Sequence, residues 1–82
     1  MDPDVTLRLF YQAARNKKYD QYESAFRDLS DWLWNGGFLP AVPDNWDETR
    51  WGSYYLVQEG GPDVWRFGRT GGRSWLLPAR KP

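Results

Sequence analysis

With no histidine and no cysteine in its 82 residues, the chain lacks the side chains that most often serve as nucleophile or general base near neutral pH. The usual zinc ligand sets are closed to it for the same reason. It also has no Gly-x-x-x-x-Gly-Lys phosphate loop. Carboxylates remain, and Asp44, Asp47 and Glu48 cluster in one stretch. Oxygen ligands are the chemistry of calcium, but their spacing departs from the regular calcium loop. Acid–base work by carboxylates alone needs an apolar setting, and outside that cluster the sequence offers none. No catalytic or metal-ligating residue is therefore assigned, no cofactor is expected, and the chain reads as a non-enzyme.

Rings and guanidinium groups are what the chain has in quantity. Six Trp, five Tyr and four Phe bury about 150–250 Å² each in a typical core. For a domain this small, with no disulfide to help, that area is the main source of stability. The rings are densest between Trp51 and Leu77. Three runs rich in aromatic and β-branched residues, over 53–59, 64–69 and 73–77, are separated by Gly60-Gly61-Pro62-Asp63 and by Thr70-Gly71-Gly72. That pattern predicts a three-stranded antiparallel meander.

Turn lengths then predict the two faces of the sheet. A two-residue turn at Gly71-Gly72 sets Thr70 against Arg73 and Phe67 against Leu76. A four-residue loop at Gly60–Asp63 adds Tyr54, Leu56 and Gln58 to the side of Trp65 and Phe67; one residue more would reverse the assignment. In this register Leu56, Trp65, Phe67 and Leu76 meet the helices. The other face carries Tyr55, Val57, Arg66, Arg73, Trp75 and Leu77, with Trp75 shielding Gly68. A one-sided sheet normally has a polar outer face, so these six residues are the candidate binding site. Trp, Tyr and Arg dominate binding energy at protein interfaces, and the expected function is a protein-binding module acting by occlusion or recruitment. An extended partner adding to a free sheet edge is a further mode. The bland alternative is that the 38–50 linker and the C-terminal tail cover this side.

Charge supplies the second reading. Residues 1–63 carry eleven acids against six bases, whereas residues 64–82 carry five bases and no acid. Arg69, Arg80 and Lys81, added to the same face, would suit a single-stranded nucleic acid, whose bases stack on rings and whose phosphates pair with cations. The acidic remainder argues against a polyanion that strays off the patch, and mutual neutralisation of the two halves would explain the split without any partner.

Two helices must carry the sheet. The first is predicted from Pro3 or Asp4 to Asn16, with Asp4 at the positive end of the dipole and Arg15 at the other. Its polar side is narrow, so it contacts more than one neighbour or forms a dimer seam, and a homodimer is compatible with either function. The second spans about 20–35. Asp20 and Glu23 form a capping-box-like start; Tyr22, Ala25, Phe26, Leu29, Trp32 and Leu33 recur every three or four residues; and Gly36 stands where a helix closes. Trp34 falls off this stripe and is expected to cover the helix end. Residues 36–50 read as an irregular linker, with Trp46 and Trp51 clamping it to the core. The chain as a whole reads as one α+β domain over 1–82, in the order ααβββ. It lacks a signal-like start and any membrane-length apolar run, so a cytoplasmic setting is the default.

The series Leu39-Pro40, Trp46, Gly52-Ser53-Tyr54-Tyr55 and Trp65 resembles a WW domain, which implies a three-stranded sheet that binds proline-rich peptides. The histidine that family carries after the tyrosines is absent here, and no proline closely follows the second Trp. More loosely, Trp32-Leu33-Trp34-Asn35-Gly36-Gly37-Phe38-Leu39-Pro40 and Arg73-Ser74-Trp75-Leu76-Leu77-Pro78 resemble small accessory proteins of actinobacteria and their phages. That resemblance implies an origin and no activity.

Overall fold

In the computed structural model, which describes residues 1–80, two helices precede a four-stranded antiparallel sheet. The elements are α1 (Pro3–Arg15), α2 (Tyr19–Trp34), β1 (Thr49–Trp51), β2 (Tyr54–Gln58), β3 (Val64–Arg69) and β4 (Ser74–Pro78), with the strands side by side in chain order. Among the described residues no helix is long and apolar enough to cross a membrane.

Asp2 starts α1 by accepting hydrogen bonds from the N–H groups of Asp4 (3.0 Å) and Val5 (3.4 Å), and Pro3 sits where a missing N–H costs nothing. The start of α2 differs from expectation. It begins at Tyr19, and its N-cap Lys18 makes no side-chain capping bond, so Asp20 lies in the first turn instead of capping it. At the far end Gly36 closes α2 as expected, donating to Leu33, while Gly37 donates to Trp32. Tyr22, Ala25, Phe26, Leu29 and Leu33 are all buried. They meet Leu7, Phe10 and Ala13 of α1 and Leu56, Trp65, Phe67 and Leu77 of the sheet in one core. Trp46 stacks on Tyr11 with ring centroids 4.1 Å apart, and Trp51 stands edge-on to Tyr19 at 5.0 Å, so both do clamp the linker.

The sheet departs from expectation in two places. The extra strand is Thr49–Trp51, whose first two residues fall in the stretch read as irregular; it pairs Thr49 with Leu56 and Trp51 with Tyr54 around a two-residue turn. Three residues are too few to show an alternation, so the pattern carried no strand signal there. The β2–β3 register is the expected one, with Leu56 opposite Phe67 and Gln58 opposite Trp65.

The β3–β4 register is shifted by one residue: Phe67 lies opposite Trp75 and Trp65 opposite Leu77. The connecting loop uses three residues, Thr70 to Gly72. Gly71 alone takes a left-handed φ of 78°, and Gly72 donates to Arg69 at 3.1 Å. A two-residue type I′ turn needs positive φ at both central positions, and Gly72 does not adopt it. A one-residue slip turns every β4 side chain to the opposite face. Trp75 and Leu77 therefore point toward the helices, and Leu76 points away.

Gly68 lies opposite Ser74, with no room for a side chain between them. A Cβ on Gly68 would stand 2.5 Å from Ser74 Cβ and 2.7 Å from Ser74 Cα. Because one of those atoms is backbone, β4 itself would have to move. We expect Gly68→Ala to cost about 1–3 kcal/mol, the range for overpacking a tight site, and to lower the urea midpoint at unchanged slope; an unaltered midpoint would count against this register.

Candidate functional site

The six residues assigned from sequence divide between two surfaces. Tyr55, Val57 and Arg66 lie on the sheet face away from the helices, as expected, joined there by Arg50, Val64 and Leu76. The Arg50 guanidinium stands 5.4 Å from the centre of the Tyr55 ring. Arg66 is already engaged. Its Nε donates to Glu59 Oε2 at 2.7 Å, Nη2 to Glu59 Oε1 at 3.2 Å and Nη1 to Ser74 Oγ at 2.7 Å. The hydrogen bond from Arg66 holds the Glu59 carboxyl below its ordinary range. A guanidinium with this fork-to-fork pairing has little capacity left for a partner's carboxylate.

Trp75, Leu77 and Arg73 correct the expectation. Leu77 is 1% exposed and belongs to the core. Trp75 is partly buried on the helix side, 6.3 Å from Phe67. Arg73, just before β4, reaches under the sheet, its guanidinium carbon 4.4 Å above the Trp34 ring and 5.4 Å from the Trp75 ring. Trp34 does not seal the helix end; it is 62% exposed. Its place off the apolar stripe of α2 was the available signal for that exposure.

These residues form an open groove of about 280 Å³ between the second half of α2 and the β3–β4 hairpin, lined by Phe26, Arg27, Ser30, Asp31, Trp34, Tyr54, Arg69, Arg73 and Trp75. Its electrostatics are uneven. Arg27 pairs with Glu23 at 3.7 Å, whereas among the described residues neither Arg69 nor Arg73 makes an ion pair. Tyr54 donates to Glu23 Oε2 at 3.2 Å; burial first, and then the bond to Glu23, push its phenol above the ordinary tyrosine range, so it stays a neutral donor. Of its three arginines, two have no ion pair among the described residues; these and a broad exposed ring thus face a concave surface with Asp31 as its one acidic lining residue.

The residues proposed for nucleic acid are not brought together. Arg69 lines the groove, while Arg80 lies beyond the far end of β4, 3.9 Å from Asp4 Oδ1. Lys81 is outside the described residues. The carboxylates of the 44–48 stretch serve separate contacts: Asp47 faces Arg15 at 3.4 Å, and Glu48 accepts from the Gln58 N–H at 2.7 Å. Among the described residues no group of three or more acidic side chains converges as a cation site would require.

Compared with protein-family models, with curated proteins and with solved structures, the chain matches none of them.

Proposed function

We propose that this protein is a non-catalytic recognition module that binds a partner protein by seating a short carboxylate-bearing segment in the groove of Trp34, Arg69 and Arg73. It would act by occluding or recruiting that partner. The observation that carries the reading is Arg73, whose guanidinium carbon is 4.4 Å from the Trp34 ring centre and 5.4 Å from that of Trp75, and which lacks a carboxylate of its own among the described residues. A guanidinium drawn to a ring face by cation–π attraction still has N–H donors to offer, and arginine presents them as a fork to a carboxylate. Compared with the sequence-based expectation, the centre of recognition moves from the outer sheet face to the helix side.

A protein segment suits the groove better than a polyanion because of what surrounds it. α2 carries Asp20, Glu23, Asp28 and Asp31 against a single Arg27. A chain of phosphates continuing past Arg73 would meet that acidic flank, whereas one or two carboxylates would not.

The test is fluorescence titration of labelled Glu-rich and Lys-rich peptides, and of a ten-nucleotide single strand, at two salt concentrations. Acidic peptide should bind and basic peptide should not. Charge-assisted hydrogen bonds contribute about 1.5–3 kcal/mol each, so Arg69→Glu/Arg73→Glu should weaken acidic-peptide binding by at least tenfold while Tyr55→Ala leaves it unchanged. Binding of the oligonucleotide alone, falling steeply with salt, would replace this reading with the nucleic-acid one.

A further inference from the structure

β4 is an edge strand. Among the described residues its only full partner is β3, and on its other side a single parallel bridge from Val42 reaches Ala79. The hydrogen bonds at that bridge show which backbone groups look outward. Val42 donates to the Pro78 carbonyl at 2.8 Å and accepts from the Arg80 N–H at 2.6 Å, while Ala79 donates inward to Asp63 at 2.9 Å. In an antiparallel ladder, residues alternate between facing the partner strand and facing away. Ser74 and Leu76 share the parity of Pro78 and Arg80, so their N–H and C=O groups also point to the open side. The close approach of Gly68 to Ser74 fits that assignment, because non-hydrogen-bonded pairs are the narrow ones. Pro78 fits it too, since a proline inside a strand is tolerated where its missing donor would face an edge.

No loop or side chain among the described residues bonds the backbone of Ser74 or Leu76. Val42 closes the edge only beyond Leu77. A stretch of unpaired ladder from Arg73 to Leu77 therefore adjoins the groove, and the two share Arg73 and Trp75. The other edge, β1, has only three residues.

We infer that β4 takes up an extended acidic segment of a partner protein as an additional strand, pairing with Ser74 and Leu76 while its carboxylates reach Arg73 and Arg69. This rests on the function proposed above and specifies how the segment is held. Charge complementarity selects the occupant: the two guanidinium groups at this end of the sheet lack carboxylates among the described residues, whereas a second copy of this edge would bring two more. Side chains of an added strand alternate between faces. One set would lie toward Trp34 and Arg73 and should be acidic; the other would lie beside Leu76, which is 48% exposed, and should be apolar.

The probe is a capped hexapeptide alternating valine and glutamate, titrated unmodified and in two forms N-methylated on alternate residues. Only one set of its N–H groups can face β4. One methylated form should therefore bind at least tenfold more weakly and the other as the parent does. The Ser74 and Leu76 amides should gain protection from hydrogen exchange when the parent binds. Equal binding of all three forms, or unchanged exchange at both amides, would overturn the added strand and leave the groove reading intact. No binding of the parent peptide would overturn both.

Discussion

Phe10→Ala is expected to remove about 3–5 kcal/mol, the cost of emptying a large aromatic site in a core that relaxes only in part. Phe10 is fully buried where both helices and the sheet meet. Its ring lies 4.0 Å from Tyr22 in a stacked arrangement, 5.1 Å from Phe67 edge-on and 6.2 Å from Phe26. Truncation would therefore open a void bordered by α2 and β3 together, with no single side chain placed to fill it. A whole domain is stable by about 5–15 kcal/mol, and one of this size and without disulfides belongs at the lower end, so the variant should be substantially unfolded at moderate urea. Leu9→Ala one position away is the control: Leu9 is exposed and its truncation should stay within about 0.5 kcal/mol. Similar urea midpoints for the two variants would refute this placement of the core.

The second large effect is a loss of stability in alkali that traces to Tyr22. Burial pushes the Tyr22 phenol from 10.0 up to about 12, the hydrogen bond with Thr49 opposing the shift. Its hydroxyl donates to the Tyr54 carbonyl at 3.1 Å and shares a bond with Thr49 Oγ1 at 3.2 Å, tying α2 to β1 and β2. Below pH 10 the phenol is protonated in both states, and its contribution is fully present. Between pH 10 and 12 the unfolded chain has released that proton and the native state has not. The unfolded state then binds fewer protons, and stability falls as pH rises. At 1.36 kcal/mol per pKa unit the total is about 2–3 kcal/mol. Tyr22→Phe should lose about 1 kcal/mol at neutral pH through the missing hydrogen bonds and should fall less steeply above pH 10. Parallel stability–pH curves for the two proteins would show that Tyr22 does not titrate with folding.

Much of the fold was legible where a signal is local and repeated. The α2 stripe of Tyr22, Ala25, Phe26, Leu29, Trp32 and Leu33 recurs over about three turns; five of the six are buried, and Trp32 is partly buried against the core. The β2–β3 register is the one that a four-residue loop at Gly60–Asp63 gives, and the structure has that loop length. Each loop length decides a face by a count of one, and at the second turn the count differed. Gly71-Gly72 accommodates either a two- or a three-residue loop, and the choice moved Trp75 and Leu77 to the helix side. Tyr55, Val57 and Arg66, upstream of that turn, kept their predicted face.

Residue chemistry along the chain was enough to establish an aromatic, arginine-bearing α+β domain without histidine or cysteine. That holds because composition and short-range periodicity are properties of neighbours in the chain. The groove is a property of neighbours in space. Trp34 and Arg73 are 4.4 Å apart across a separation of 39 residues, and Val42 leaves part of β4 open because of where Pro78 and Arg80 come to rest. Such contacts are set by how α2 crosses the sheet and by the parity of one turn, which no local pattern encodes.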